Sequence, residues 1–375
     1  MEAVSSAGGP LLPPVMGAGA FIMAEMTATP YTDIIQAAIL GALIYYIGVI
    51  AMVHFEAVNM GLTRSSDELK VSFKNVLLRA PYIIPFVVLV IFLFSGSSPA
   101  NSAVYGLITM LIIWALIPSN RITLKKVIEG VSYAAKMGTV IISALAGASI
   151  IVTVINQTGL ALSLGSIIVQ LSSGQLWLAL ILIMIATIAL GAGIPTTAAY
   201  VITATVSAAA LTSYGLELVT AHLFIFYFAI LADITPPVGV TSFAAANVAN
   251  SPPMKTAFLS VKYAFAGFIV PYIFVYHPAL LMSSEHGLFE IILTFISAVL
   301  SVIALASVLM GVMFTKLSVV QRIVLLILAL MSISTSQVLT YSSILLIIGF
   351  ILMNYLVMRK NSIEQSNPKE LRNTR

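Results

Sequence analysis

The chain has 375 residues, 60% of them hydrophobic and only 8% charged, with 17 Lys and Arg against 13 Asp and Glu. Soluble domains carry roughly a quarter charged residues, so a mean hydropathy of +1.09 excludes a water-facing exterior and makes lipid the solvent for most of the surface. The net charge of +4 is spread over short loops rather than gathered in a patch, which excludes a nucleic-acid partner, and zero Cys with four scattered His excludes thiolate and His metal chemistry.

From the N-terminus, no basic segment precedes an apolar run and cleavage site, so no signal peptide is expected. Apolar stretches predict helices near 34–54, 82–95, 103–117, 137–155, 175–191, 217–232, 256–276, 288–314 and 338–358. Shorter helices are expected near 12–24, 160–171, 196–212, 236–249 and 323–335. The loop with Arg64, Lys70, Lys74 and Arg79 and the loop with Arg121, Lys125, Lys126 and Lys136 are separated by two spans joined by the uncharged SGSSPANS. Both are therefore expected on the cytoplasmic side, as are Lys316, Arg322 and the tail, with Glu285 and His286 on the opposite face. The fold class expected is an all-α polytopic membrane protein.

The chain also resembles itself. Pro13-Pro14-Val15 recurs as Pro236-Pro237-Val238, Phe21 as Phe243, Pro30 as Pro252 and His54 as His277, at an offset of 222 or 223 residues. The span after the first copy ends at the cytoplasmic Arg64 loop, whereas the span after the second starts beside cytoplasmic Lys255 and ends at outer Glu285, so the copies are expected to be inverted. Inverted repeats with interrupted helices mark secondary transporters, whose sites form where the helices break. The expected segments are 1–56, the end of the first repeat; 57–136, connecting spans; 137–280, the second repeat; 281–358, extra C-terminal spans; and 359–375, a cytoplasmic tail. The first copy begins almost at Met1, so its upstream half is expected on a longer chain or a separate partner.

Three breaks carry the candidate chemistry. Gly191, Ala192, Gly193, Ile194 and Pro195 interrupt an apolar run before Thr196 and Thr197, with Pro195 suited to the first turn of a new helix. Glycines can expose carbonyls to a cation, the new N-terminus favours an anion, and the threonines add hydroxyls. Close helix packing by small residues is the competing reading. Asp233-Ile234-Thr235-Pro236-Pro237 has the same grammar, with Thr235 as N-cap, Pro236 at the first helical position and Asp233 outside a positive helix end. Between Leu218 and Met254, Asp233 is the sole Asp, Glu, Lys or Arg, and a charge within a membrane is costly enough to read as functional, a capping carboxylate being the alternative. The third break, at Gly8, Gly9, Pro13, Pro14 and Gly17, has no carboxylate before Glu25. His222 reads as a hydrogen-bonded interior His and Lys262 as a snorkelling cation. Paired aspartates, a Ser-His pair and a metal cluster at usable spacing are all missing, so no enzyme is expected.

The segments GGPLLPPVMGAGAFIMAE, GAGIPTTAAYVI and AHLFIFYFAILADITPPVGVTSFAAANVA resemble the large membrane subunit of tripartite ATP-independent periplasmic (TRAP) transporters, of the fused type, over about residues 1–280. The resemblance implies an elevator-type carrier with re-entrant hairpins, located in the inner membrane. It would be driven by a sodium gradient and would import small carboxylates from an extracytoplasmic solute-binding protein of the TAXI class. It implies Na+ as coupling ion with no other cofactor, and ion-binding positions at Gly193, Pro195, Thr196, Thr197, Thr235, Pro236 and Gly239, with Gly9, Pro13 and Pro14 in the first repeat. Thr196, Thr197, Asp233 and Thr241 are the corresponding candidates for the substrate anion. A proton-coupled or binding-protein-independent permease, with Asp233 as carrier, and an inactive truncated fragment are the alternatives.

Overall fold

In lipid every backbone N–H and C=O must find an internal partner, so the apolar runs of this chain fold as helices. The computed structural model describes residues 1–62, 80–116, 123–283, 286–334 and 336–366. The expected loop bearing Arg64, Lys70, Lys74 and Arg79, together with Arg121, Glu285 and residues 367–375, lies outside them. The helices are α1 (Glu2–Ala7), α2 (Ala18–Thr27), α3 (Tyr31–Asn59), α4 (Ile84–Phe94), α5 (Pro99–Leu116), α6 (Leu124–Gln157), α7 (Leu160–Leu171) and α8 (Leu176–Gly191). They continue as α9 (Thr196–Ser213), α10 (Leu218–Ala232), α11 (Val240–Val248), α12 (Pro253–Tyr263), α13 (Phe265–Tyr276), α14 (Leu288–Met310), α15 (Val319–Ser332) and α16 (Gln337–Ser366). Among the described residues, five stretches are long and apolar enough to cross a bilayer: Tyr31–Asn59, Pro99–Leu116, Pro253–Tyr276, Leu288–Met310 and Val338–Lys360. The protein is thus an all-α polytopic membrane protein.

Four expectations need correction. The helix expected near 12–24 starts only at Ala18, and that near 236–249 only at Val240, because each Pro-Pro pair lacks the N–H groups a helix needs. The span read as 256–276 divides at Ala264 into α12 and α13. Helix α6 begins at Leu124, well before residue 137, because hydropathy marks where lipid contact starts whereas Lys125, Lys126 and Glu129 are good helix formers in water.

The chain divides into two compact units. The first comprises Met1–Gly9, Ala37–Thr63 and Ile230–Arg375. Its centre is α3, where a Cβ on Gly48 would lie 2.4 Å from Cβ of Ala266 and 2.7 Å from Cγ1 of Val302. Three helices therefore meet at a point with no room for a methyl group. Buried Tyr45 donates its hydroxyl to the Val4 carbonyl at 2.7 Å, and its ring fills the space above Gly267, where a Cβ would lie 2.9 Å from Cε2. Tyr45 and Gly267, 222 residues apart in sequence, thus lie in contact.

In the C-terminal part of this unit, serines tie α14 to α15. Ser297 donates to the Ser332 carbonyl at 2.8 Å and Ser301 to that of Ala329 at 2.7 Å. Such small polar residues permit close helix approach without an orphaned donor. Gly311, at φ +71°, ends α14, and the turn after it is held by buried Asn354, whose Oδ1 accepts from the N–H of Phe314 at 3.0 Å and Thr315 at 3.1 Å.

The second unit comprises Pro10–Gln36 and Arg64–Ala229. Helix α9 is its hub, packing against α2, α6, α7 and α8, while α4 and α5 pair as a hairpin. The ring of Phe226 lies over Gly19, where a Cβ would be 2.6 Å from Cε2. His222 is 3% exposed and its Nδ1 lies 2.6 Å from the Tyr200 hydroxyl, the hydrogen-bonded interior histidine that the sequence led us to expect.

Candidate transport site

The two Pro-Pro-Val segments share a backbone as well as letters. In the first, both prolines precede Met16 at φ +51°, α2 runs to Thr27, and Ala28 turns left-handed at φ +50° before Pro30 and α3. In the second, Gly239 at φ +44° precedes α11, which runs to Val248, and Asn250 turns left-handed at φ +48° before Pro252 and α12. Both Pro-Pro peptide bonds are cis. Even the bond closing each helix recurs: Thr29 donates its N–H to Ala24 at 3.2 Å, and Ser251 to Ala246 at 2.9 Å. The left-handed residue is Met16 in one copy and Gly239 in the other, so only the second takes the side-chain-free form that this conformation favours.

The second break is closed by its own main chain. Thr235 donates its hydroxyl back to the Leu231 carbonyl at 2.6 Å, and Gly239 rather than Thr235 occupies the N-cap of α11, correcting the cap read from sequence. Pro236 accordingly lies before the helix and not at its first position. The carbonyl of Asp233 accepts the Thr241 N–H at 3.0 Å, and buried Ser242 donates to the Ile234 carbonyl at 3.1 Å. A Cβ at Gly239 would lie 3.3 Å from the Ile234 carbonyl oxygen and 3.4 Å from that of Thr235, so two carbonyls converge on this residue. Because the N–H of Thr241 is committed, its hydroxyl is what it has left to offer an anion. Asp233, Thr235, Pro236, Gly239 and Thr241 all belong to the first unit.

The break at 191–197 belongs to the second unit. Helix α8 ends at Gly191, Ala192 is extended at ψ 113°, and Gly193 takes φ +82°, a conformation open to glycine and costly to other residues. Pro195 is the N-cap of α9 rather than its first residue, and accepts the Ala199 N–H at 3.0 Å. Ile194 packs on Ala148, Ala198 and Ile202, anchoring the break while Gly193 and Pro195 remain exposed. Thr196 and Thr197 begin α9 half-buried, where the first-turn N–H groups of an 18-residue helix lack intrahelical acceptors.

Pro13 and Pro14 lie in the same unit, with the Tyr31 hydroxyl 2.9 Å from the Pro14 carbonyl and 2.8 Å from that of Val15. Gly9 falls in the first unit, exposed, and a Cβ there would meet no atom within 4 Å, so packing does not demand its missing side chain.

Sequence reasoning missed two hydroxyls. Ser242 looked like one small residue among several, and only its bond to Ile234 reveals it as a staple. Thr187 is fully buried on α8 one turn before Gly191, and its Oγ1 meets no hydrogen-bond partner among the described residues. The helical spacing to the break was the available signal.

Apolar helices that cross a bilayer and break at glycine and proline pairs define a polytopic membrane carrier scaffold. Residues 1–284 match the DctM component of the tripartite ATP-independent periplasmic transporters, and the chain belongs to that family. No curated protein matches the chain. Transporters of this family work with a substrate-binding protein and a small membrane subunit, so this is a multi-pass inner-membrane permease. Helices α14 to α16 lie beyond the matched residues.

Proposed function

We propose that this permease is a sodium-coupled secondary transporter of the elevator type that imports small organic carboxylates delivered by an extracytoplasmic binding protein of the TAXI class. The observation that carries the proposal is the recurrence of one helix break, with matching left-handed turns, at an offset of 222 or 223 residues. Inverted copies of such a break provide the two equivalent conformations that alternating access requires. The C-terminus lies in the cytoplasm on this reading, by the same charge rule that inverts the repeats.

Sodium is a hard cation that takes carbonyl and hydroxyl oxygens. The fit of this chain to it rests on the carbonyls converging on Gly239 and on the buried Thr187 hydroxyl beside the Gly191 break. Main-chain oxygens around Gly193 and Pro195 in the second unit, and separately those around Thr235, Pro236 and Gly239 in the first, would each offer an ion a place, with the first-repeat positions Gly9, Pro13 and Pro14 as further candidates, each within its own unit. In the second unit, the N-terminus of α9, with Thr196 and Thr197, would favour the substrate carboxylate; in the first unit, the Thr241 hydroxyl and Asp233 are the candidates for contact with the anion.

A proton-coupled reading is favoured by one feature, the position of Asp233 as the sole acid between Leu218 and Met254. Asp233→Asn separates the two readings. Sodium coupling predicts that the variant retains a sodium-specific rise in unfolding midpoint. Loss of that rise, together with disappearance of a pH-dependent shift present in the parent, would transfer the coupling role to the proton.

A further inference from the structure

Within the first unit, the ends of α13, α14 and α16 enclose a polar cavity of about 200 Å³ between Tyr276, His277, Glu290, Thr294, Ser297 and Thr340. The polar side chains are anchored. Nε2 of His277 lies 2.9 Å from the Ile333 carbonyl, which makes it the donor. Ser297 is held by Ser332, at 2.8 Å to its carbonyl and 2.9 Å to its hydroxyl. Glu290 stands at the mouth, its side chain 54% exposed, with Nδ1 of His286 3.2 Å away. Among the described residues the lining contains no Lys or Arg.

An apolar groove of about 340 Å³ adjoins this cavity, between Phe289 and Leu293 on α14 and Tyr341, Ile344 and Leu345 on α16. Leu293 and Tyr341 line both, so polar space runs directly into apolar space. Glu290 lies in the first turn of α14 and Thr340 in the first turn of the Val338–Lys360 span, which places the polar end at the membrane–water interface and the groove at acyl-chain depth.

We propose that this composite site holds one aminophospholipid, its ammonium on Glu290 and the hydroxyls of the cavity, and an acyl chain in the groove between α14 and α16. A carboxylate, hydroxyl oxygens and imidazoles, with no Lys or Arg among the described lining residues, complement a headgroup carrying an ammonium, which would share Glu290 with His286, and disfavour a purely anionic one. A soluble amine would leave the groove unfilled. Tyr276 and His277 lie at the end of the matched residues, whereas Glu290, Thr294, Ser297, Thr340 and the groove lie beyond them, so a bound lipid would give the extra spans a role as a lipid-anchored buttress against the matched segment.

The test is native mass spectrometry of the full detergent-purified chain titrated with phosphatidylethanolamine, phosphatidylglycerol of the same acyl composition, and phosphoethanolamine without acyl chains. One ethanolamine lipid is expected to bind, preferred over the glycerol lipid by about tenfold, the worth of one charge-assisted hydrogen bond. Glu290→Gln should erase the preference, and Leu293→Trp, which fills the groove, should weaken both lipids while the chain stays monodisperse. Equal binding of the two lipids, a preference that survives Glu290→Gln, or phosphoethanolamine binding as tightly as the whole lipid would overturn the proposal.

Discussion

Gly239→Val is expected to abolish the sodium response of the purified permease while lowering its unfolding midpoint. Gly239 sits at φ +44° and ψ +54°, where a side chain costs about 1–2 kcal/mol, and a β-branched one is a true outlier. The new Cβ would also approach the Ile234 and Thr235 carbonyl oxygens at 3.3 and 3.4 Å. To relieve that crowding, the carbonyls must turn from the positions at which they converge, so the loss of ion binding should exceed the loss of stability. Gly349→Ala is the control: its Cβ would meet no atom within 4 Å on the exposed middle of α16. Both variants are compared by midpoint in sodium and in choline. A Gly239→Val protein with an intact sodium shift would remove this break from the ion site.

Gly48→Leu should be the most damaging single change in the first unit. Its Cβ alone would lie 2.4 Å from Ala266 and 2.7 Å from Val302, and helix backbones rather than flexible chain ends must move to admit it. Overpacking of this kind costs about 1–3 kcal/mol and often more. The expected result is loss of the monodisperse peak on size-exclusion chromatography. Gly48→Ala should show a smaller drop in midpoint that Ala266→Gly partly restores, a coupling that only directly touching residues produce. Additive midpoints in the double variant would contradict the packing.

Much of this architecture is visible in the sequence because its causes are local. Lipid demands apolar spans, so α3, α8, α10 and α14 start within a few residues of where charge-free runs place them. Pro13-Pro14 and Pro236-Pro237 forbid helix, so the equivalence of the two breaks could be read as letters before it appeared as matching left-handed turns at Ala28 and Asn250. What the letters did not reveal depends on partners distant along the chain or on a competition between caps. Thr235 is a good N-cap by composition, yet its hydroxyl finds the Leu231 carbonyl one turn back and yields the cap to Gly239. Ser242 and Thr187 carry no motif, and only a full accounting of hydrogen bonds singles them out. Glycines that look alike as letters differ in space: Gly9 is open, whereas the space beside Gly19 and Gly48 is filled by Phe226 and Ala266.

The central claim is that the breaks bind sodium, and thermal unfolding of the purified chain in sodium, potassium and choline at equal ionic strength tests it most directly. A ligand at 100 times its dissociation constant stabilises by about 2.7 kcal/mol, so a bound ion should raise the midpoint in sodium alone, saturably with concentration. Cooperative unfolding at the same midpoint in all three salts would contradict the account.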